Sequence, residues 1–166
     1  MIDEFQGAAE AVGATVKRFV SVADAALYIR DLAGTTPVSS SSLPPEIKDA
    51  LAVTAFAAPA EYADAQLCVS FARAGIARTG SLILELDNPV ARSATALPLI
   101  HAVLLRESTI VPDLYDAQGL LAQALSSPTA YLSITTGPSR TADIERVLTI
   151  GVHGPKELHV LVLEGE

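Results

Sequence analysis

Ser139, Arg140 and Thr141 follow Gly137 and Pro138 directly, and His153 lies farther on, between Gly151 and Gly154. A guanidinium beside backbone N–H groups freed by a glycine turn can hold a carboxylate or a phosphate in bidentate fashion. The two hydroxyls add hydrogen bonds, and an imidazole adds a group that gives and takes a proton near neutral pH. The chemistry read here is an anionic small-molecule site made by Gly137, Ser139, Arg140, Thr141 and His153, with His153 also a catalytic candidate. Thr79, Gly80 and Ser81 form a second polar glycine turn. If the sheet brings the two turns together, their N–H groups and hydroxyls line one nest for an anion. Plainer roles compete for the same residues. Arg140 can pair with Asp143 or Glu145, Ser139 and Thr141 can cap a helix, and the glycines can serve only a positive φ or a bulge. The order Ser139, Asp143, His153 also matches a nucleophilic triad, but geometry and not order defines one, and Asp143 is placed to face helix N–H groups.

The elements that must position these groups follow from periodicity. Residues 130–135 are apolar and β-branched, Gly137 and Pro138 break the run, and Ile144, Val147 and Leu148 share one helical face. This is a strand–loop–helix unit, expected at the carboxyl edge of an open α/β sheet, where ligands bind. Further helices are expected over 5–12, over 21–32 with Ser21 or Asp24 as cap and Gly34 as stop, from Pro44-Pro45 through 50, and over 113–125. Strands are expected over 15–20, 66–72, 81–86, 99–105 and 158–163, the third covered on both faces. Residues 37–43 read as a short extended piece, its serines 39–42 as a surface loop in preference to a linker, and Asp87-Asn88-Pro89 as a turn. Strands alternating with helices give an α/β fold, three-layer and Rossmann-like, with a largely parallel sheet.

The chain has 166 residues, enough for one domain with a sizeable core, and its 50% hydrophobic content with few aromatics predicts a core of Ala, Leu, Val and Ile. A formal charge of −8 argues against nucleic acid, which needs clustered Lys and Arg. The longest apolar stretch, 96–105, is interrupted by Pro98 and His101 and falls short of the ~18 residues of a membrane span. Asp3 and Glu4 near the start do not suit a signal peptide, so a cytoplasmic location is expected. Cys68, the single cysteine, excludes a disulfide framework and the four thiolates an iron–sulfur cluster usually takes; it reads as a small buried hydrophobe. The three histidines form no paired motif, so no metal is expected, and His101 and His159, inside apolar strands, read as core histidines with a hydrogen bond. No Gly-x-Gly-x-x-Gly or Walker pattern is present, and no cofactor is expected.

The run from Gly137-Pro138-Ser139-Arg140-Thr141-Ala142-Asp143-Ile144-Glu145 to Gly151-Val152-His153-Gly154-Pro155, with its apolar closing strand, resembles the LUD-domain family of the lactate-utilisation protein C type. Residues 75–82 resemble the same family's Ala-Glu-Thr-Gly-Thr turn, with Arg78 where an acid is usual. The resemblance implies one LUD-type domain over residues 1–166, without the N-terminal helical stretch of longer members. It implies a fold like that of CoA transferases and ribose-5-phosphate isomerase. The function it implies is that of a subunit of a lactate-utilisation system, acting with iron–sulfur partner proteins in oxidation of L-lactate to pyruvate. Two alternatives stand beside it. One is an independent enzyme or binding protein for a phosphorylated or CoA-linked small molecule, in which Glu85, the acid of the apolar 81–86 run, is the catalytic candidate by analogy with the CoA-transferase nucleophile. The other is a non-catalytic scaffold, for which Arg78 and the missing stretch are the motivating features.

Overall fold

The computed structural model describes residues 1–41, 43–51, 56–141, 149–150 and 154–165. Helix α1 (Ile2–Ala11) leads into strand β1 (Thr15–Phe19) and helix α2 (Val22–Ala33), followed by β2 (Val38–Ser41), α3 (Pro45–Ala50) and β3 (Leu67–Phe71). Then come β4 (Ala74–Ile76), β5 (Ser81–Glu85), α4 (Pro89–Ala96), β6 (Ile100–Arg106) and β7 (Ile110–Val111). A 3-10 turn (Leu114–Ala117), α5 (Gln118–Ala124), β8 (Leu132–Thr135), β9 (Arg140–Thr141), β10 (Thr149–Ile150) and β11 (Glu157–Leu163) complete the order.

Strands β1, β11, β6, β3 and β2, in that spatial order, form a central sheet in which every pair is parallel. The chain is therefore a mixed α/β protein with a parallel central sheet flanked by helices. Ala25, Ala26 and Ile29 of α2 and Ile47 of α3 cover one face, over Leu67, Val69, Leu104 and Leu161. Phe5 and Ala9 of α1 cover the other, together with Leu82 and Leu84 of β5, over Val103, Leu105, Val160 and Val162. Burial on both faces is why β6 and β11 read as near-continuous apolar runs. Ser21 accepts a hydrogen bond from the Asp24 N–H at 3.1 Å and starts α2, and Gly34, at φ 58°, ends it.

Three expectations are corrected. The serine run is not a surface loop: Val38–Ser41 is an edge strand, with Ser39 0% and Ser41 4% exposed. The Ser39 hydroxyl donates to the Ala94 carbonyl at 2.9 Å, so a small polar residue is satisfied where α4 crosses β2. Asp87-Asn88-Pro89 is more than a turn. Asn88 Oδ1 accepts from the Ala91 N–H at 2.9 Å and Pro89 sits in the first helical position, which starts a helix the periodicity did not reveal. Finally, β8 does not join the parallel sheet. It pairs antiparallel with β5 in a second, four-stranded sheet ordered β7, β4, β5, β8, whose outer face is covered by Leu120 and Leu121 of α5.

Candidate functional site

The turn after β8 is carried by that second sheet, so it does not open at the carboxyl edge of the parallel strands. Leu82 stands opposite Thr135 in the β5–β8 ladder, and the turn reaches the amino ends of β6 and β11, where His101 and Leu158 are register partners. There Gly137, Pro138 and Ser139 border a cleft of about 220 Å³, with His101, Thr95, Ser133 and Thr135 on its walls and Leu84, Leu86 and Leu158 at its base. The Ser139 N–H donates to the Pro155 carbonyl at 2.9 Å, joining the turn to the chain that enters β11.

The two glycine turns meet. Ser81 Oγ lies 2.7 Å from Thr136 Oγ1 and 2.7 Å from Thr79 Oγ1, so Ser81 bridges the other two hydroxyls. Their glycines face helix α1 and its end. Gly80, at φ 63°, lies so close to α1 that a Cβ would fall 2.2 Å from the Ala9 nitrogen, and at Gly137, φ 70°, a Cβ would fall 2.5 Å from the Val12 carbonyl oxygen. The Arg140 guanidinium donates to that same Val12 carbonyl. Thr79 and Ser81 border a separate shallow hollow with Arg78 and Asp113, so the two turns touch without lining one cleft. Arg78 pairs with Asp113 at 2.6 Å, and the Tyr115 N–H, with Arg78 beside it, holds the Asp113 carboxyl below its ordinary range.

The backbone of Arg140 and Thr141 is extended and paired antiparallel with Ile150 and Thr149, which makes strand where a helix cap is expected. The expected helix bearing Ile144, Val147 and Leu148 lies outside the described residues, as do Asp143, Glu145 and His153.

Glu85 stands elsewhere, in a cleft of about 730 Å³ at the carboxyl ends of the parallel strands, which Pro44, Phe71, Arg73, Asp87 and Arg106 also border. Its carboxylate pairs with Arg73 Nε at 3.1 Å. Burial, then a hydrogen bond with Asp87, raises its pKa against the opposing pull of Arg73. Arg106 lies over the Phe71 ring at 5.0 Å and pairs with Glu46 at 2.8 Å.

Both core histidines carry the expected bond. His159 Nδ1 meets the Tyr28 hydroxyl at 2.9 Å, and His101 Nε2 meets the Ser70 hydroxyl at 2.7 Å. His101 differs in also bordering the amino-end cleft while only 3% exposed, and burial lowers its pKa to about 4, so it is neutral at pH 7. Sequence reasoning missed this placement. The alternation of β6, with His101 on the same face as Val103 and Leu105, was the available signal, but not what lies across from it. Cys68 is fully buried, and its thiol is pushed up to about 12. Among the described residues no three His, Cys, Asp or Glu side chains gather as metal ligands, and no helix is long and apolar enough to cross a membrane.

The LUD domain family model matches residues 56–163. A protein named Lactate utilization protein C from Bacillus licheniformis is 32% identical over 103 residues, which span 60% of this chain and 43% of that protein. Its namesake from Bacillus subtilis is 31% identical over 102 residues, 59% of this chain and 42% of that protein. The uncharacterized protein YkgG of Escherichia coli is 35% identical over 103 residues, 60% of this chain and 45% of that protein. The match thus spans less than half the length of these relatives. The crystal structure of a DUF162 family protein from Deinococcus radiodurans superposes with a TM-score of 0.68 at 20% identity, covering 98% of this chain and 95% of that one.

Proposed function

Because the chain belongs to the LUD-domain family, we propose that it serves lactate utilisation in the cytoplasm, as a subunit acting with iron–sulfur partner proteins in oxidation of L-lactate to pyruvate. The observation that carries this reading is the likeness, over about three fifths of the chain, to proteins named Lactate utilization protein C. Lactate oxidation releases two electrons and two protons. A lone cysteine, buried and held protonated, cannot supply the thiolate set of a cluster within this chain, and in this reading clusters on the partner proteins accept the two electrons.

The test is deletion of the gene in its own host, followed by growth on L-lactate and on glucose, with capture of the tagged chain from lactate-grown cells and assay of the captured material for iron and acid-labile sulfide. A growth defect confined to lactate, together with co-purifying iron and sulfide, is the expected result. Normal growth on lactate and an iron-free eluate would overturn it.

A second reading, an enzyme or binding protein for a phosphorylated or CoA-linked small molecule, is favoured by one observation. The larger cleft lies at the carboxyl ends of the parallel strands, where α/β sheets bind ligands, and holds Arg73 beside a carboxyl of raised pKa, Glu85. Thermal stabilisation by a sugar phosphate or a CoA ester that Arg73→Ala abolishes would favour it over the first.

A further inference from the structure

The amino-end cleft contains a hydrogen-bonding arrangement that fixes which atom faces a ligand. Ser70 is 1% exposed, and its hydroxyl has one partner among the described residues, His101 Nε2 at 2.7 Å. A buried hydroxyl proton left without an acceptor costs roughly 1–3 kcal/mol, so Ser70 donates to Nε2. A neutral imidazole has one N–H, and with Nε2 accepting, that proton resides on Nδ1. No described residue accepts from Nδ1, and His101, 3% exposed as a residue, borders the cleft. An imidazole N–H at a cleft with no acceptor among the described residues is a group that a bound molecule can satisfy.

The walls decide the chemistry of that molecule. Leu84, Leu86, Ala96, Pro138, Pro155 and Leu158 are apolar, and none of the described lining residues is charged. Against these described walls an ionised carboxylate or phosphate would lose its hydration without gaining a cation from them, whereas an uncharged carbonyl needs only the Nδ1–H. Ser133 and Thr135, with hydroxyls 3.3 Å apart, also line the cleft and offer a second polar contact. A volume of about 220 Å³ suits a body of roughly seven non-hydrogen atoms, taking ~30 Å³ as the share of one water.

We propose that the amino-end cleft binds a small molecule through an uncharged carbonyl oxygen, with His101 Nδ1–H as the donor and Ser70 as the residue that sets the tautomer. The proposal does not rest on the lactate reading, since lactate and pyruvate are carboxylates and would be poor occupants.

With three histidines in the chain, long-range ¹⁵N–¹H correlation of the imidazoles reads the tautomer directly in the wild-type protein. The probes are methyl pyruvate and acetamide, with sodium pyruvate and sodium acetate as charged counterparts. In the free protein His101 should show a protonated Nδ1 and an unprotonated Nε2. The neutral probes should shift Nδ1 saturably, and the carboxylates should bind at least tenfold more weakly. Ser70→Ala should release the tautomer, and His101→Phe should weaken the neutral probes at least tenfold. A protonated Nε2 in the free protein, no saturable shift with either neutral probe, or carboxylates binding as well as the neutral probes would each overturn the proposal. Those three readouts use the unaltered protein and stand even if a variant fails to fold.

Discussion

His101 is a base that the fold keeps uncharged, and this makes stability depend on pH in a defined direction. Burial lowers its pKa from 6.5 to about 4. The unfolded chain therefore takes up this proton first as pH drops. The contribution is whole above pH 6.5 and is lost as pH falls through about 4. A shift of this size corresponds to at most about 3 kcal/mol. Urea unfolding of wild type and His101→Gln at pH 7.5 and pH 4.5 isolates the term, because the carboxylates titrate in both proteins. The stability advantage of wild type should shrink by about 2 kcal/mol or more between the two conditions. An advantage equal at both pH values would mean that the imidazole is not buried neutral. At this scale the residue types were readable. The apolar strand around His101 indicated a core histidine with one bond, but the partner Ser70 lies on another strand, set by the β3–β6 register, in which Cys68 faces His101.

At the scale of elements, the two glycine turns are packing surfaces for α1. Gly80 lets the turn before β5 approach the backbone of Ala8 and Ala9, and Gly137 lets the turn after β8 approach Val12. Gly80→Ala introduces both a Cβ clash and a side chain at φ 63°. It should destabilise the protein by at least ~2 kcal/mol and raise hydrogen exchange across Ile2–Ala11. Gly119→Ala is the matched control. It lies in α5 with no atom within 4 Å of a new Cβ and no positive φ, and should stabilise by up to ~1 kcal/mol. Equal effects of the two substitutions would show that Gly80 is not a contact point for α1. The polar composition of both turns was visible in the sequence. That their glycines face a helix was not, since contacts between residues 8–12 and residues 80 and 137 are long-range. The serine strand was misread for a related reason: serine carries no apolar signal, and it is partners distant in sequence, the Ala94 carbonyl foremost, that let Ser39 lie in the core.

At the scale of the molecule, the stretch that the family model covers, residues 56–163, leaves out elements that complete the sheet and its cover. Strand β1 pairs with β11, β2 pairs with β3, and α1 and α2 cover the two faces with Phe5, Ala9, Ala25 and Ile29, all 0% exposed. Removing them uncovers the face under α2 and part of the face that β5 also covers, and leaves β3 and β11 as unprotected edges. A fragment of residues 56–163 should therefore lack dispersed amide resonances and a cooperative melt. Native-like dispersion in that fragment would show that the N-terminal elements are dispensable additions.

By itself, the sequence determined the class of fold and the identity of most elements. Apolar period and caps are local properties: β6 and β11 are largely apolar because they are buried on both faces, and Ser21, Gly34 and Pro45 mark helix ends through their own backbone preferences. Only the tertiary structure decided that β8 belongs to a second sheet, that its turn opens at the amino ends of β6 and β11, and that Ser70 and His101 meet there. Those facts depend on strand order and register, which arise from burying all the faces at once and leave no signature in any single segment.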